Sequence, residues 1–230
     1  MEPYSYQGDD RRAHGILVEV LEEALVRRMG LRVEHHSYPW NRVQRHIQQG
    51  IQDPFITVPT AERLIYSHAS AEIVLVVEMR AFVSPASPQY PSLLKIRDLA
   101  EFAQFRVCDI YGNGWAKRLY AAKHVYATWF RTNAIAMDQV LHGNCDLTLG
   151  AAEVGLEIIR QRKLEGRLTM LPEVFERMNF SLLINKNSPY AGILPTFDRT
   201  IRAMRETGAL ARIVAASRGP PEKPRAPAAD

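Results

Sequence analysis

One pattern constrains this sequence more than any other: an amphipathic run, a glycine, an aspartate three residues on, and then a short apolar strand. It stands first in PWNRVQRHIQQGIQDPFITVPTAERLIYSHAS, residues 39–70, where Val43 to Gln49 has helical spacing, Gly50 stops it, Asp53 comes next and Phe55 to Val58 reads as a strand. It returns in NAIAMDQVLHGNCDLTLG, residues 133–150, with Gly143, Asp146 and a strand from Leu147 to Leu149. Two such units suggest two similar α/β lobes facing each other across a cleft. A plainer reading makes each glycine only the left-handed cap of its helix.

The chemistry lies just past the first strand. In an open α/β sheet, ligands sit beyond the carboxyl ends of the strands. Thr60, Glu62 and Arg63 occupy that place, in a polar stretch expected to be a loop. A guanidinium there makes an anion site. In the second lobe, Tyr111-Gly112-Asn113-Gly114-Trp115 lies between a strand, Arg106 to Ile110, and a helical run, Ala116 to Lys123. Glycines at that junction let backbone N–H groups approach an anion at a helix N-terminus.

Composition narrows the classes. With 230 residues, 47% hydrophobic and 23% charged, the chain is an ordinary globular one, long enough for one large domain or two small ones. A net charge of +4, without a basic stripe interleaved with aromatics, is far from a nucleic-acid signature. No apolar run approaches the roughly 18 residues that a membrane span needs. The first residues, MEPYSYQGDD, lack the basic start and apolar stretch of a secretory signal, and their abrupt beginning suggests a longer native N-terminus. Cys108 and Cys145 have no metal-type spacing and read as buried free thiols. Neither a nucleophile elbow nor a HExxH, Walker or full dinucleotide motif occurs, and His35-His36 would point to opposite faces of a strand. No metal site and no cofactor are expected. Ser67, His68 and Asp109 make a triad only by free choice among common residues.

Taken in order, Ile16 to Leu25 reads as a helix ended by Gly30, and Leu31 to His35 alternates like a strand. Leu64 to Ser70 reads as a connector, and Ile73 to Val77 with Ala81 to Val83 as an apolar β run. Pro85, Pro88 and Pro91 mark a surface loop. Ile96 to Glu101 and Ala151 to Lys163 have helical patterns, Leu168 to Leu171 and Phe180 to Ile184 strand patterns. Pro195 to Thr207 and Leu210 to Val214 would be a closing helix pair. The fold class expected is α/β in two lobes, residues 1–78 with 184–216 and residues 79–183. The tail 217–230, rich in proline and charge, is expected to be disordered.

The order of pieces PYSYQGDDRRAHGILVEVLEEALVRRMGLRVE, PWNRV, GIQDPFITVPTAER, RVCDIYGNGWA and GNCDLTLGA resembles the bacterial extracellular solute-binding proteins of family 3, the substrate-binding components of polar amino-acid ABC transporters. The resemblance runs over residues 2–215. It implies a type 2 periplasmic-binding fold, two α/β lobes joined by two crossing hinge strands that close over a small carboxylate-bearing ligand. It also implies a periplasmic monomer that delivers its ligand to an ABC transporter permease, with no cofactor and no nucleic acid. Position by position, Arg63 matches the arginine that grips the carboxylate, Thr60 its Thr-x-x-Arg threonine, and Trp40 an aromatic that packs on the ligand. Thr57 and Val58 match the strand end, and Gly112, Asn113, Gly114 and Trp115 the loop that completes the site. Arg80, near the crossing strands, is a further candidate. Three places depart from the pattern: Ala151 stands where an Asp often holds the ligand's amino group, residues 53–63 are about two residues short, and the first strand would lie before Met1. Enzymes such as cyclohexadienyl dehydratases and the sensory domains of receptors share this fold and are the alternatives.

Overall fold

The computed structural model describes residues 2–36, 38, 40–111 and 114–217, and of 40, 41, 114 and 217 the backbone alone. The chain divides into two units, one formed by the residues up to Val74 with those from Ser181 onward, the other by Leu75–Phe180.

The first unit opens with a hairpin, β1 (Tyr6–Gln7) and β2 (Ala13–His14), in which Tyr6 lies opposite His14. Helix α1 (Ile16–Leu21) is next, and its Ile16 and Leu17 N–H groups donate to the carbonyls of Pro3 and Tyr4 at 3.0 and 2.9 Å. Those bonds satisfy donors that a helix start leaves open. The helix runs on as a π-helix over Glu22–Arg28, with Ile16, Val20, Ala24 and Leu25 buried on one face.

Residues 31–36 correct the sequence reading. Their side chains alternate between half-buried and exposed, as in a strand, but among the described residues none pairs with them. Alternation sets which face is buried, and only a neighbouring ladder makes a strand of it. His35 instead ties the segment to the preceding helix, its Nε2 2.7 Å from the Glu22 carboxylate.

Helix α2 (Trp40–Gln48) ends at Gly50, whose φ of 68° is left-handed. The Ile51 N–H reaches back to the His46 carbonyl at 2.8 Å, closing the turn. Strand β3 (Phe55–Thr57) comes next, then α3 (Ala61–Tyr66) and β4 (Ser67–Ala69). The stretch expected as a loop and a connector is therefore a helix and a strand. Thr60 starts that helix, its hydroxyl accepting the Arg63 N–H at 3.4 Å.

The second unit begins with β5 (Leu75–Val83) and α4 (Tyr90–Leu93). The short helix expected near Ile96 is a 3₁₀ turn over Leu99–Gln104, displaced because Asp98 and Glu101 form a capping box that fixes its start. Then come β6 (Val107–Ile110), α5 (Gly114–Ala122), β7 (Ala127–Phe130), α6 (Asn133–Leu141), β8 (Leu147–Ala151), α7 (Ala152–Gln161), β9 (Thr169–Met170) and β10 (Glu176–Asn185). The strands run β10-β5-β8-β6-β7, with β6 parallel to β7 and β8, β5 antiparallel to β8 and β10, and β9 beside β5. Phe82, Met137, Val140, Ile159, Leu164 and Leu168 fill the core. Gly143 repeats the cap of Gly50, with φ 71° and the Asn144 N–H on the Gln139 carbonyl at 2.9 Å. The two aspartates also correspond: Asp53 accepts the Asn185 N–H and Asp146 the Arg106 N–H, each steadying the end of a strand.

The cysteines are a second correction. Cys108 and Cys145 form a disulfide in this core, with their Cα atoms 5.9 Å apart. Strands β6 and β8 run side by side with Val107 opposite Leu147, which keeps Cys108, within β6, close to Cys145, two residues before β8. Separation by 37 positions in sequence conceals that proximity.

Back in the first unit, the second half of β10 pairs antiparallel with β3, Leu182 opposite Ile56, and with β4, Ile184 opposite His68. Ile47 of α2 packs beneath them on Phe55 and Leu183, with Val43 and Tyr66 at the edge of the cluster. Helices α8 (Leu194–Glu206) and α9 (Ala209–Ser217) complete the unit, α9 against α1 and α8 against the π-helix. Glu72 locks α8 in place by accepting from Arg202 at 2.8 Å and Arg205 at 2.6 Å. The tail beyond Ser217, expected to be disordered, lies outside the described residues. Among those described, no helix is long and apolar enough to cross a membrane.

Candidate functional site

The Arg63 site is built by one sharp change of direction. Strand β3 ends at Thr57, the Thr60 N–H turns back to the Val58 carbonyl at 2.9 Å, and α3 begins at Ala61. That places Arg63 in the first turn of α3, close to the carboxyl end of the strand. Its Nη1 donates to the same Val58 carbonyl at 2.7 Å and its Nη2 to Gln44 Oε1, on α2, at 3.1 Å. The Arg63 carbonyl accepts from the Ser67 hydroxyl at 2.6 Å, which holds the far end of the turn. Arg63 is half-buried, so its charge is felt nearby: burial pushes the Tyr66 hydroxyl up, and the Arg63 charge works against that rise.

The structure brings Thr60, Val58 and Arg63 together, and Thr57 is buried in β3 next to them. Trp40 opens α2, but its side chain lies outside the described residues, as do Gly112 and Asn113. In the second unit, Gly114 and Trp115 open α5, with Trp115 half-buried. Arg80 is engaged on β5: its Nε and Nη2 donate to Glu78 Oε2 at 3.0 and 2.7 Å, and its Nη1 to the Pro172 carbonyl at 2.9 Å. Arg177 lies 3.6 Å from the same carboxylate. Ala151 is buried at the end of β8, and Glu153 is half-buried in the first turn of α7.

Two polar groups have partners that the sequence reading does not give them. Gln44 shares the inward side of α2 with Val43 and Ile47, and its place three residues before Ile47 is the one signal that points to it. Asp109, at the end of β6, accepts the Tyr120 hydroxyl at 2.7 Å and its Oδ1 accepts the Ile110 N–H at 2.6 Å. Burial, and then the Asp109 charge, push the Tyr120 hydroxyl well up. This pair knits β6 to α5. The Ser67 hydroxyl donates to the Arg63 carbonyl and Asp109 accepts from the Tyr120 hydroxyl, so both are engaged outside the freely chosen triad. Among the described residues, no group of three His, Cys, Asp or Glu side chains is placed to hold a metal ion.

No family model matches the chain, and no curated protein does. Solved structures do. A histidine kinase sensor domain with similarity to periplasmic binding proteins is 21% identical, with 95% of this chain and 92% of that one covered and a TM-score of 0.71. The arginine-, lysine-, histidine-binding protein ArtJ from the thermophilic bacterium Geobacillus stearothermophilus is 17% identical, over 96% and 93%, with a TM-score of 0.70. The substrate-binding protein of an amino acid ABC transporter is 15% identical, over 94% and 93%, with a TM-score of 0.68. Likeness at this level speaks for the fold alone. The chain has the mixed α/β, two-lobed fold of the periplasmic-binding-protein kind.

Proposed function

We propose that this chain captures a small carboxylate-bearing solute, an amino acid or a related molecule, and delivers it to an ABC transporter permease. The observation that carries the reading is Arg63, a half-buried guanidinium held in the first turn of α3 directly beyond β3, where a planar fork can meet a carboxylate with two parallel N–H···O bonds. In this reading Arg63 and Thr60 receive the ligand on the first unit. Closure of the second, about the strands near Glu78 and Asn179, brings the segment Gly112–Trp115 onto it. Ligand then shifts the hinge equilibrium by binding one state better than the other. The protein acts as a monomer, and the buried disulfide favours an oxidising compartment such as the periplasm.

The test is thermal unfolding of the purified chain against L-arginine, L-lysine, L-histidine, L-glutamine, L-glutamate and prephenate, with product analysis of every hit. A ligand that binds the native state raises its stability by mass action. Stabilisation by a ligand recovered unchanged, and lost in Arg63→Ala at about 2–5 kcal/mol of binding free energy, supports the binder. A variant that binds as well as the parent overturns the Arg63 assignment, and a consumed ligand makes the protein an enzyme. The likeness to a histidine kinase sensor domain favours a second reading, a ligand-sensing domain with the same anchor. Stimulation of a permease's ATP hydrolysis by the liganded chain separates delivery from sensing.

A further inference from the structure

Arg63 does not set its own orientation. Its two terminal nitrogens are held from two different elements, Nη1 by the Val58 carbonyl after β3 and Nη2 by Gln44 Oε1 on α2. A guanidinium has donors only, so Gln44 must turn its amide oxygen towards it. Together the two acceptors fix the plane of the fork, and a carboxylate is recognised in two-point fashion only when that plane faces it. Both acceptors are neutral, so neither subtracts from the guanidinium's charge. Gln44 itself is kept in place by the packing of its helix, since Val43 and Ile47 anchor α2 on Phe55 and Leu183.

We propose that Gln44 is the positioning residue of the Arg63 anion site, and that its being an amide and not a carboxylate suits the site to an anion. This rests on Arg63 being the ligand anchor. A glutamate at position 44 would restore the hydrogen bond, and even strengthen it, while setting a negative charge against an incoming carboxylate. A methionine would keep the length and packing and remove the acceptor. A residue that served stability alone would respond to these changes in its unfolding temperature and not in ligand affinity.

The experiment is isothermal titration of the full chain with L-glutamine, L-glutamate and L-arginine as probes. It compares the parent with Gln44→Met, Gln44→Glu and Arg63→Ala, with the unfolding temperature of each unliganded protein measured alongside. For the probe that binds the parent most tightly, Gln44→Met should weaken binding about three- to tenfold, the worth of one such hydrogen bond. Gln44→Glu should weaken it about tenfold or more, while its unliganded stability stays at or above that of Gln44→Met. If Arg63→Ala loses binding while both Gln44 variants bind as the parent does, the role of Gln44 is overturned and the Arg63 reading stands. If Arg63→Ala binds as the parent does, or no probe binds the parent, both fall.

Discussion

Asp146 takes the Arg106 backbone N–H at 2.8 Å on one carboxylate oxygen and the Arg106 guanidinium at 2.6 Å on the other, so a single buried side chain fixes the entries to two adjacent parallel strands. Burial acts to raise the Asp146 carboxyl, and the hydrogen bonds and charge of Arg106 outweigh it, leaving the group below its ordinary range. A carboxylate depressed in the folded state contributes stability that is complete above its unfolded value and lost as pH falls through the folded one. Asp146→Asn is therefore expected to destabilise the chain by about 1–3 kcal/mol near neutral pH, and to reduce the loss of stability on acidification. Urea unfolding at pH 7 and at about pH 3.5, within the carboxylate range, checks both.

The disulfide offers a second test. Joining residues 37 positions apart, it restricts the unfolded chain, and removing it should cost about 2–4 kcal/mol. Unfolding of a Cys108→Ala, Cys145→Ala double variant, compared with the parent with and without reductant, measures this. Since both cysteines are joined to each other, thiol reagents should find nothing to modify in the parent, folded or unfolded, until a reductant opens the bond.

Gly155 is set by space. A Cβ there would collide with the Phe82 ring, itself fully buried in the core of the second unit. Gly155→Ala should cost about 1–3 kcal/mol through overpacking. Phe82→Leu in the same chain should cost less than the two changes summed, because the smaller side chain leaves room for the methyl. A double-mutant cycle in urea gives the coupling directly.

Arg63→Lys keeps the charge and loses the fork. It should retain part of the ligand affinity lost in Arg63→Ala, yet fall short of the parent by about 1.5–3 kcal/mol, the worth of a hydrogen bond to a charged group. Calorimetric titration against the probe that binds the parent most tightly decides it. Equal affinity for the lysine variant would mean that charge alone holds the ligand.

Much of the fold is legible in the sequence because it rests on local chemistry. The apolar spacing of Ile16, Val20 and Ala24, the glycine stops at Gly50 and Gly143, and the apolar strands Phe55 to Thr57 and Leu147 to Leu149 are all written in neighbouring residues. The illegible part depends on partners distant in sequence. Leu31 to His35 carries a strand's alternation without a ladder beside it among the described residues, and the pairing of Cys108 with Cys145 needs β6 and β8 to be neighbours, which spacing does not reveal. Strand β7, with its Thr128, Trp129 and Phe130, has the right residue types and still escapes the sequence reading. At the site, Thr60 and Arg63 are recognisable by their interval, but the interval reads as a loop because Pro59 conceals the helix start that Thr60 caps. Gln44 lies 19 residues before Arg63, on another element, where no motif joins them.

The insertion of Leu75–Phe180 into the first unit has a consequence for synthesis on the ribosome. Every partner in the sheet of the second unit is made in one uninterrupted stretch, so that unit can assemble once its last strand has emerged. The first unit cannot: among the described residues β3 and β4 each find their ladder in the second half of β10, and helices α8 and α9, which cover α1 and the π-helix, come later still. Contacts closed over so long a loop form late. The half of the protein that holds Arg63 is thus begun first and completed last, after the half inserted into it is already in place.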